Sequence, residues 1–429
     1  MNKITTIEAC RQLLEHLNDL RFPFAELRPK PLTSEECFEG DYDFLYDGEK
    51  KYALIKDIIF FLKHKKVPFV ILRKNEQKLQ VQIFDYDTDR KIILEFWSVC
   101  IIRAALKSIH FPSYLTWKDI EQFIHSDADG YEIHPNVRAL IYITHLMARK
   151  KDLQKPEVQK RLRYFREQCL SREPGYDLLK EILQKLASLE CDLTDANKKA
   201  LDLLKDFGCS RPSKALMYFA KTKFAKLLSK SSPRKIMAVV GPDGSGKTTI
   251  LKKAITKDDR LLKYYKFKDL YRKHNGIDKL IRKHYPVKGL KRNQIDERVS
   301  GIHFFSSYIV FFFFKILYSR RLIILDRYFY DLLLTGIRDK DGTAHEVWWY
   351  NMGLALTPRP RCLLILDVPY EIAQKRKGEI AKEDWDLLFN NYLRCYFSKP
   401  SKGLAFCNTD TTVENNVSFF NFVKEIILK

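Results

Sequence analysis

KIMAVVGPDGSGKTTILKKAI, residues 235–255, decides how the second half of this chain folds. Ile236–Val240 is an unbroken apolar run, the pattern of a strand buried on both faces. A glycine-rich turn follows, and TTILKKAI then returns to helical spacing. Gly241, Gly246, Lys247 and Thr248 fit G-x-x-x-x-G-K-[ST], in the strand–loop–helix order that gives this pattern its meaning. The glycines let the backbone curl so that successive N–H groups face an anion, and the helix N-terminus adds its partial positive charge. Lys247 is placed to reach β/γ-phosphates, the Thr248 hydroxyl to ligate Mg²⁺, and Thr249 to bond an α-phosphate. The residues expected to hold a nucleotide are Gly241, Asp243, Gly244, Ser245, Gly246, Lys247, Thr248 and Thr249. A chance glycine turn is the plain alternative, and the flanking strand and helix argue against it.

Two further apolar runs suit a parallel sheet. Leu322–Leu325 ends in Asp326-Arg327-Tyr328, and Cys362–Leu366 ends in Asp367-Val368-Pro369. Functional groups gather at the carboxyl ends of such strands. Asp326 is therefore a candidate Mg²⁺ ligand, and Arg327 can grip an anion as a two-pronged fork. Asp367 reads more simply as the cap of the next helix. Within PYEIAQKRKGE (369–379), a helix beginning near Glu371 carries Arg376 and Lys377 to where a cation would cover a transferring phosphoryl group. An ordinary basic helix end is the competing explanation. The longest apolar run, Ile302–Leu317, is interrupted by His303, Ser306, Ser307 and Lys315. It is too short to span a bilayer and reads as a helix buried against the sheet, with a helix lying on a membrane surface as the alternative.

The order GPDGSGKTT, LIILDRYFYD, CLLILDVPYEIAQKRKGE, followed by a last strand and helix over 403–428, resembles thymidylate kinase and its relatives across roughly 195 residues. The resemblance implies an α/β fold of the P-loop NTPase type, with helices on both faces of a doubly wound parallel sheet. It implies ATP as donor, with Mg²⁺. By position Asp326 and Arg327 match the family's Asp-Arg pair beside the acceptor phosphate and the metal, and Arg376 falls in its lid. Lys247, Asp326, Arg327 and Arg376 are thus the expected catalytic residues. The expected activity is transfer of the ATP γ-phosphoryl group to a nucleoside monophosphate or another small anionic acceptor. Two departures bear on the acceptor: Phe329-Tyr330-Asp331 follows where thymidylate enzymes usually carry Ser and then Ala-Tyr-Gln, and Phe304–Leu317 lacks their base-reading Arg and Gln. Divergent relatives with an aromatic residue and Tyr-Asp after Asp-Arg-Tyr, fused to a second domain, look closer.

The first half differs in character. Residues 1–110 mix helix and strand, residues 111–225 read as mostly helical, and residues 235–429 form the phosphate-binding domain. The basic stretch KTKFAKLLSKSSPR (221–234) separates the last two. In the first region, Gly40-Asp41-Tyr42-Asp43 leads into a helix over Tyr52–His64 and strands around Phe69–Arg73, Leu79–Phe84 and Lys91–Phe96. Asp41 and Asp43, two apart on a strand, share a face. With Glu95 on a neighbouring strand they form a set that could hold metal ions for nucleotidyl transfer. G-D-x-D with a later acidic residue resembles the nucleotidyltransferase-like α+β fold, although the Gly-Ser helix start of active members is missing. Acidic residues that discourage pairing at a sheet edge are the alternative. His145 reads as a packed histidine rather than a ligand.

Composition limits the remaining choices. The formal charge is +22, and residues 251–300 alone hold 16 Lys/Arg against 6 Asp/Glu. Such a field favours anions, here a nucleotide and a small anionic acceptor, with peripheral contact to an anionic membrane left open and nucleic acid not expected as a partner. The nine cysteines show no C-x-x-C pair, which argues for reduced thiols, and the polar N-terminus lacks a signal-peptide core. A cytoplasmic location is therefore expected. A nucleotide-regulated binding protein with little turnover and a kinase–nucleotidyltransferase remain as alternative functions.

Overall fold

The computed structural model describes residues 5–28, 38, 40–75, 77–106, 109–127, 130–169, 175–209, 216–221, 223–224, 236–255, 262–266, 321–328, 359–376, 382–398 and 403–428. The expected helix over Phe304–Leu317, most of the basic segment 251–300, Phe329–Asp331 and Lys377 lie outside these residues. The chain divides into two compact units: Met1–Phe61, Lys74–Val81 and Ile92–Lys230 in the first, and Leu62–Arg73, Gln82–Lys91 and Ser231–Lys429 in the second. Residues 62–73 and 82–91, grouped by sequence with 1–110, thus pack with the second unit.

In the first half, α1 (Thr6–Asp19) is followed by β1 (Phe24–Glu26), β2 (Asp41–Tyr46), α2 (Lys51–His64), β3 (Phe69–Asn75), β4 (Lys78–Phe84) and β5 (Lys91–Trp97). Within the first unit β1 pairs antiparallel with β2, and β2 runs parallel to β5. Two hairpins come next, β6 (Val99–Leu106) with β7 (Ile109–Thr116) and β8 (Ile124–Asp127) with β9 (Gly130–Ile133), and α3 (Trp117–Ile120) lies between them. The region read as helical therefore opens on strands, whose short runs in 109–133 carry too little periodicity to announce themselves. Helices α4 (Pro135–Ala148), α5 (Pro156–Gln168), α6 (Tyr176–Ala187) and α7 (Leu193–Asp206) complete it. Proline opens α4 and α5 at their first turns, where the missing N–H has no partner to lose. Val137, Leu140, Ile143 and Leu146 of α4 are buried among Leu162 and Phe165 of α5, Leu183 of α6 and Leu204 of α7. A last helix, α8, covers residues 216–221 and 223–224.

In the second unit, β10 (Ile236–Val240) leads into α9 (Lys247–Ala254). It is followed by β11 (Leu262–Lys266), β12 (Leu322–Asp326), β13 (Cys362–Asp367), α10 (Tyr370–Arg376), α11 (Lys382–Ser398), β14 (Gly403–Asn408) and α12 (Val413–Leu428). The strands lie in the order β14-β13-β10-β12-β11, all parallel, with β3 antiparallel on the outer side of β14 through Phe69↔Phe406 and Leu72↔Gly403. β10 is thus first in the chain yet central in the sheet, so the direction of winding reverses at its carboxyl end. Alternate residues serve opposite faces. Met237, Val239, Ile324 and Leu364 pack with Ile250 and Leu251 of α9 and Phe419 and Val423 of α12. On the other face Phe406 stacks on Phe69 and meets Phe389 of α11 edge-on. Among the described residues no helix is long and apolar enough to cross a membrane.

Leu364 is fully buried on a central strand and cannot be compensated by solvent. Leu364→Ala is expected to lower the stability of the second unit by about 2–5 kcal/mol, measured by denaturant unfolding.

Candidate functional site

The loop after β10 is held open by backbone that only glycine tolerates. Gly241 has φ 151°, and a Cβ placed on it would stand 2.5 Å from the Leu366 carbonyl oxygen of β13. Gly244 has φ 87°, and its Cβ would approach the Ala373 carbonyl oxygen of α10 to 3.0 Å. Gly246, at φ 81°, is the N-cap of α9. These three conformations seat the loop against β13 and α10 while aiming the start of α9 at its mouth.

Three cations from three different elements converge on this loop. Lys247, buried at the start of α9, donates to the carbonyl oxygens of Gly241 (2.6 Å) and Pro242 (2.8 Å) and reaches Ser245 Oγ at 3.4 Å. Arg327, just past β12, forms an ion pair with Asp243. Arg376, at the end of α10, donates to the Gly244 carbonyl oxygen at 3.1 Å. Arg327 also has φ 70°, unusual for a residue with a side chain, and its N–H donates to the Val239 carbonyl oxygen at 2.9 Å. Backbone held in such a region marks a position that the surroundings over-determine.

Asp326 ends β12 and is buried. Tyr264 of β11 donates to Asp326 Oδ2 at 2.9 Å. The two strands are parallel with Tyr264 level with Ile324, so the tyrosine meets the residue two further on, on the same face. Sequence reading did not single out Tyr264; its spacing in KYYK carries no signal until β11 is known to lie beside β12. Thr248 and Thr249 stand exposed in the first turn of α9. Asp367 ends β13, three residues before α10 begins, and its Oδ2 lies 3.9 Å from Lys63 Nζ. Burial raises the Asp367 carboxyl, with Lys63 opposing.

In the first unit, β2 and β5 put Asp43 level with Glu95, and Asp41 level with Ile93. The buried carboxylates carry cations of the chain itself: Arg28 is paired with Asp43 and Lys78 with Glu95. Trp97 Nε1 donates to Asp43 at 2.9 Å, and Gln80 Nε2 to Glu95 at 2.6 Å. Among the described residues no group of three or more His, Cys, Asp or Glu side chains could hold a metal ion. Of Asp41, Asp43 and Glu95, the set expected to hold metal ions, Asp43 and Glu95 are each ion-paired with a cation of the chain. Arg28 and Lys78 make the difference: a buried carboxylate needs a counter-charge, and here protein supplies it. His145 Nδ1 sits 3.2 Å from the Ile101 carbonyl oxygen and so carries its proton there. Burial, then Arg28 and Arg149, lower the His145 pKa to about 4.

No protein-family profile matches the chain. No curated protein matches it in sequence. Among solved structures, the deoxyadenosine kinase of M. mycoides, determined with dCMP and a flexible dCDP bound, aligns at 16% identity over 44% of this chain and 99% of that one, with a TM-score of 0.32.

Two predictions follow from this geometry. Gly241→Ala should lower the thermal midpoint, because the left-handed backbone costs about 1–3 kcal/mol and the new methyl meets the Leu366 carbonyl oxygen; a thermal melt tests it. The second concerns His145. Its folded pKa lies below its ordinary 6.5, so the unfolded chain binds the proton first as pH falls. Stability is lost from about pH 6.5 down to about pH 4. His145→Gln should remove about 2 kcal/mol of the stability difference between about pH 7 and about pH 5, read by urea unfolding at the two values.

Proposed function

We propose that the second unit is an ATP-dependent phosphotransferase of the thymidylate-kinase type, acting on a nucleoside monophosphate or a similarly small anionic acceptor. The observation that carries this reading is the convergence of Lys247, Arg327 and Arg376 on residues 241–245. Lys247 and Arg376 rest on carbonyl oxygens, which are weak partners for cations, while Arg327 is paired with the Asp243 carboxylate. The oxygens of a phosphate chain are stronger acceptors and bear the charge that these side chains complement. Gly241 and Gly244 let the loop pack against β13 and α10 in a conformation that a side chain would strain, and the start of α9 adds its partial positive charge.

ATP would supply the γ-phosphoryl group, and Mg²⁺ would spread its charge. Thr248, in the first turn of α9, and Asp326 are the residues suited to hold the metal. Tyr264 fixes one oxygen of Asp326, so the carboxylate need not reorganise when a cation arrives. Lys247 turns from its carbonyl partners to the phosphates. Arg327 grips the acceptor's anion, and Arg376, on the helix facing Gly244, balances the charge that develops in transfer. The reaction then needs only positioning and neutralisation. The acceptor belongs at the carboxyl ends of β10 and β12, where the sheet's winding reverses.

Lys247→Ala is expected to reduce acceptor-dependent ADP formation by on the order of 100-fold or more, and unchanged turnover would end this reading. Tyr264→Phe should lower kcat roughly 10-fold and raise the Mg²⁺ concentration required, with little change in ATP affinity. Assays of ADP release with dTMP, other nucleoside monophosphates and phosphosugars identify the acceptor.

A further inference from the structure

Helix α8 is turned outward in the sense opposite to an ordinary surface helix. Leu216, Met217 and Phe224 are 43%, 49% and 65% exposed. Ala220, Lys221 and Lys223 are exposed with them, whereas Tyr218 and Phe219 are half-buried. At about 100° per residue, Leu216, Ala220 and Phe224 fall on one stripe, Met217 lies beside it, and Lys223 and Lys221 border it on the two sides. The inner side is anchored by Phe219, which meets Phe111 of β7 at 5.9 Å, and the exposed Lys223 at the edge lies 5.6 Å from the Phe219 ring. Ile109, 67% exposed, is two residues from Phe111 and so on the same face of β7. An aromatic-containing apolar ridge, rather than scattered single side chains, therefore faces water.

In sequence, the segment that carries this helix has charge of one sign. From Arg211 to Lys235 the sequence carries eight Lys/Arg and no Asp or Glu. A second copy of this surface would oppose lysine to lysine. A nucleic acid would satisfy the lysines but leave Leu216, Met217 and Phe224 facing phosphates and water. A phospholipid surface suits both features, with acyl chains for the ridge and headgroup phosphates for the border.

We propose that α8, with Ile109 beside it, docks the first unit onto an anionic phospholipid surface. Leu216, Met217 and Phe224 enter the boundary between headgroups and acyl chains, and Lys221 and Lys223 meet lipid phosphates. Docking is peripheral and reversible, and it does not rest on the phosphotransferase reading.

The test is co-sedimentation of the full chain with vesicles of phosphatidylcholine alone and of phosphatidylcholine with phosphatidylserine. Binding is expected to the mixed vesicles and not to the neutral ones, and to weaken with salt. The double variant L216S/F224S, which keeps every charge and alters only exposed side chains, should bind the mixed vesicles at least about 10-fold more weakly with an unchanged thermal midpoint. K221E/K223E should do the same through charge. No binding by the unaltered chain, or equal binding by L216S/F224S, overturns the proposal. So does a ridge-dependent shift of duplex DNA without vesicle binding, or ridge-dependent self-association without it.

Discussion

A peptide bend that no side chain can enter governs the second unit of this protein. Gly241 sits against the Leu366 carbonyl oxygen so closely that a single methyl group would have to displace main chain of a central strand. Main chain in a packed sheet does not give way as a flexible side chain would. The bend therefore fixes where β10 ends, how α9 starts and which oxygens Lys247 can reach. Gly244 against Ala373 extends the same constraint to α10, and so to Arg376.

Charge is handled alike in both units. Buried or half-buried ions are costly unless paired, and Lys247, Arg376, Arg28 and Lys78 each rest on an oxygen of the chain. The difference lies in the oxygens. Lys247 and Arg376 hold neutral carbonyls, partners that a phosphate chain can outcompete, whereas Arg28 and Lys78 hold the buried carboxylates of Asp43 and Glu95. The first arrangement leaves the cations on neutral partners. The second is internally neutralised, and its polar centre around Trp97 and His145 behaves as part of the core.

The first unit then carries its distinguishing chemistry on its outside. The exposed ridge of α8 and its lysine border stand apart from the ion pairs around Asp43 in character, being apolar and basic where that centre is buried and balanced.

The sequence by itself determined the local parts: the β10 run, the glycine turn, the lysine behind it, the Asp-Arg pair after β12 and the carboxylates of G-D-x-D. These follow from residue type and spacing within a few positions, because strand burial, turn geometry and helix starts are local. Partnership was decided only by tertiary structure. Tyr264 reaches Asp326 across 62 positions, Arg327 reaches Asp243 across 84, and Arg376 reaches Gly244 across 132. Arg28 and Lys78 answer Asp43 and Glu95, and residues 62–73 leave the first half to pair β3 with β14. Sequence spacing is silent on such pairs because they depend on which strands lie side by side, and that order is set by packing of the whole sheet rather than by any segment within it.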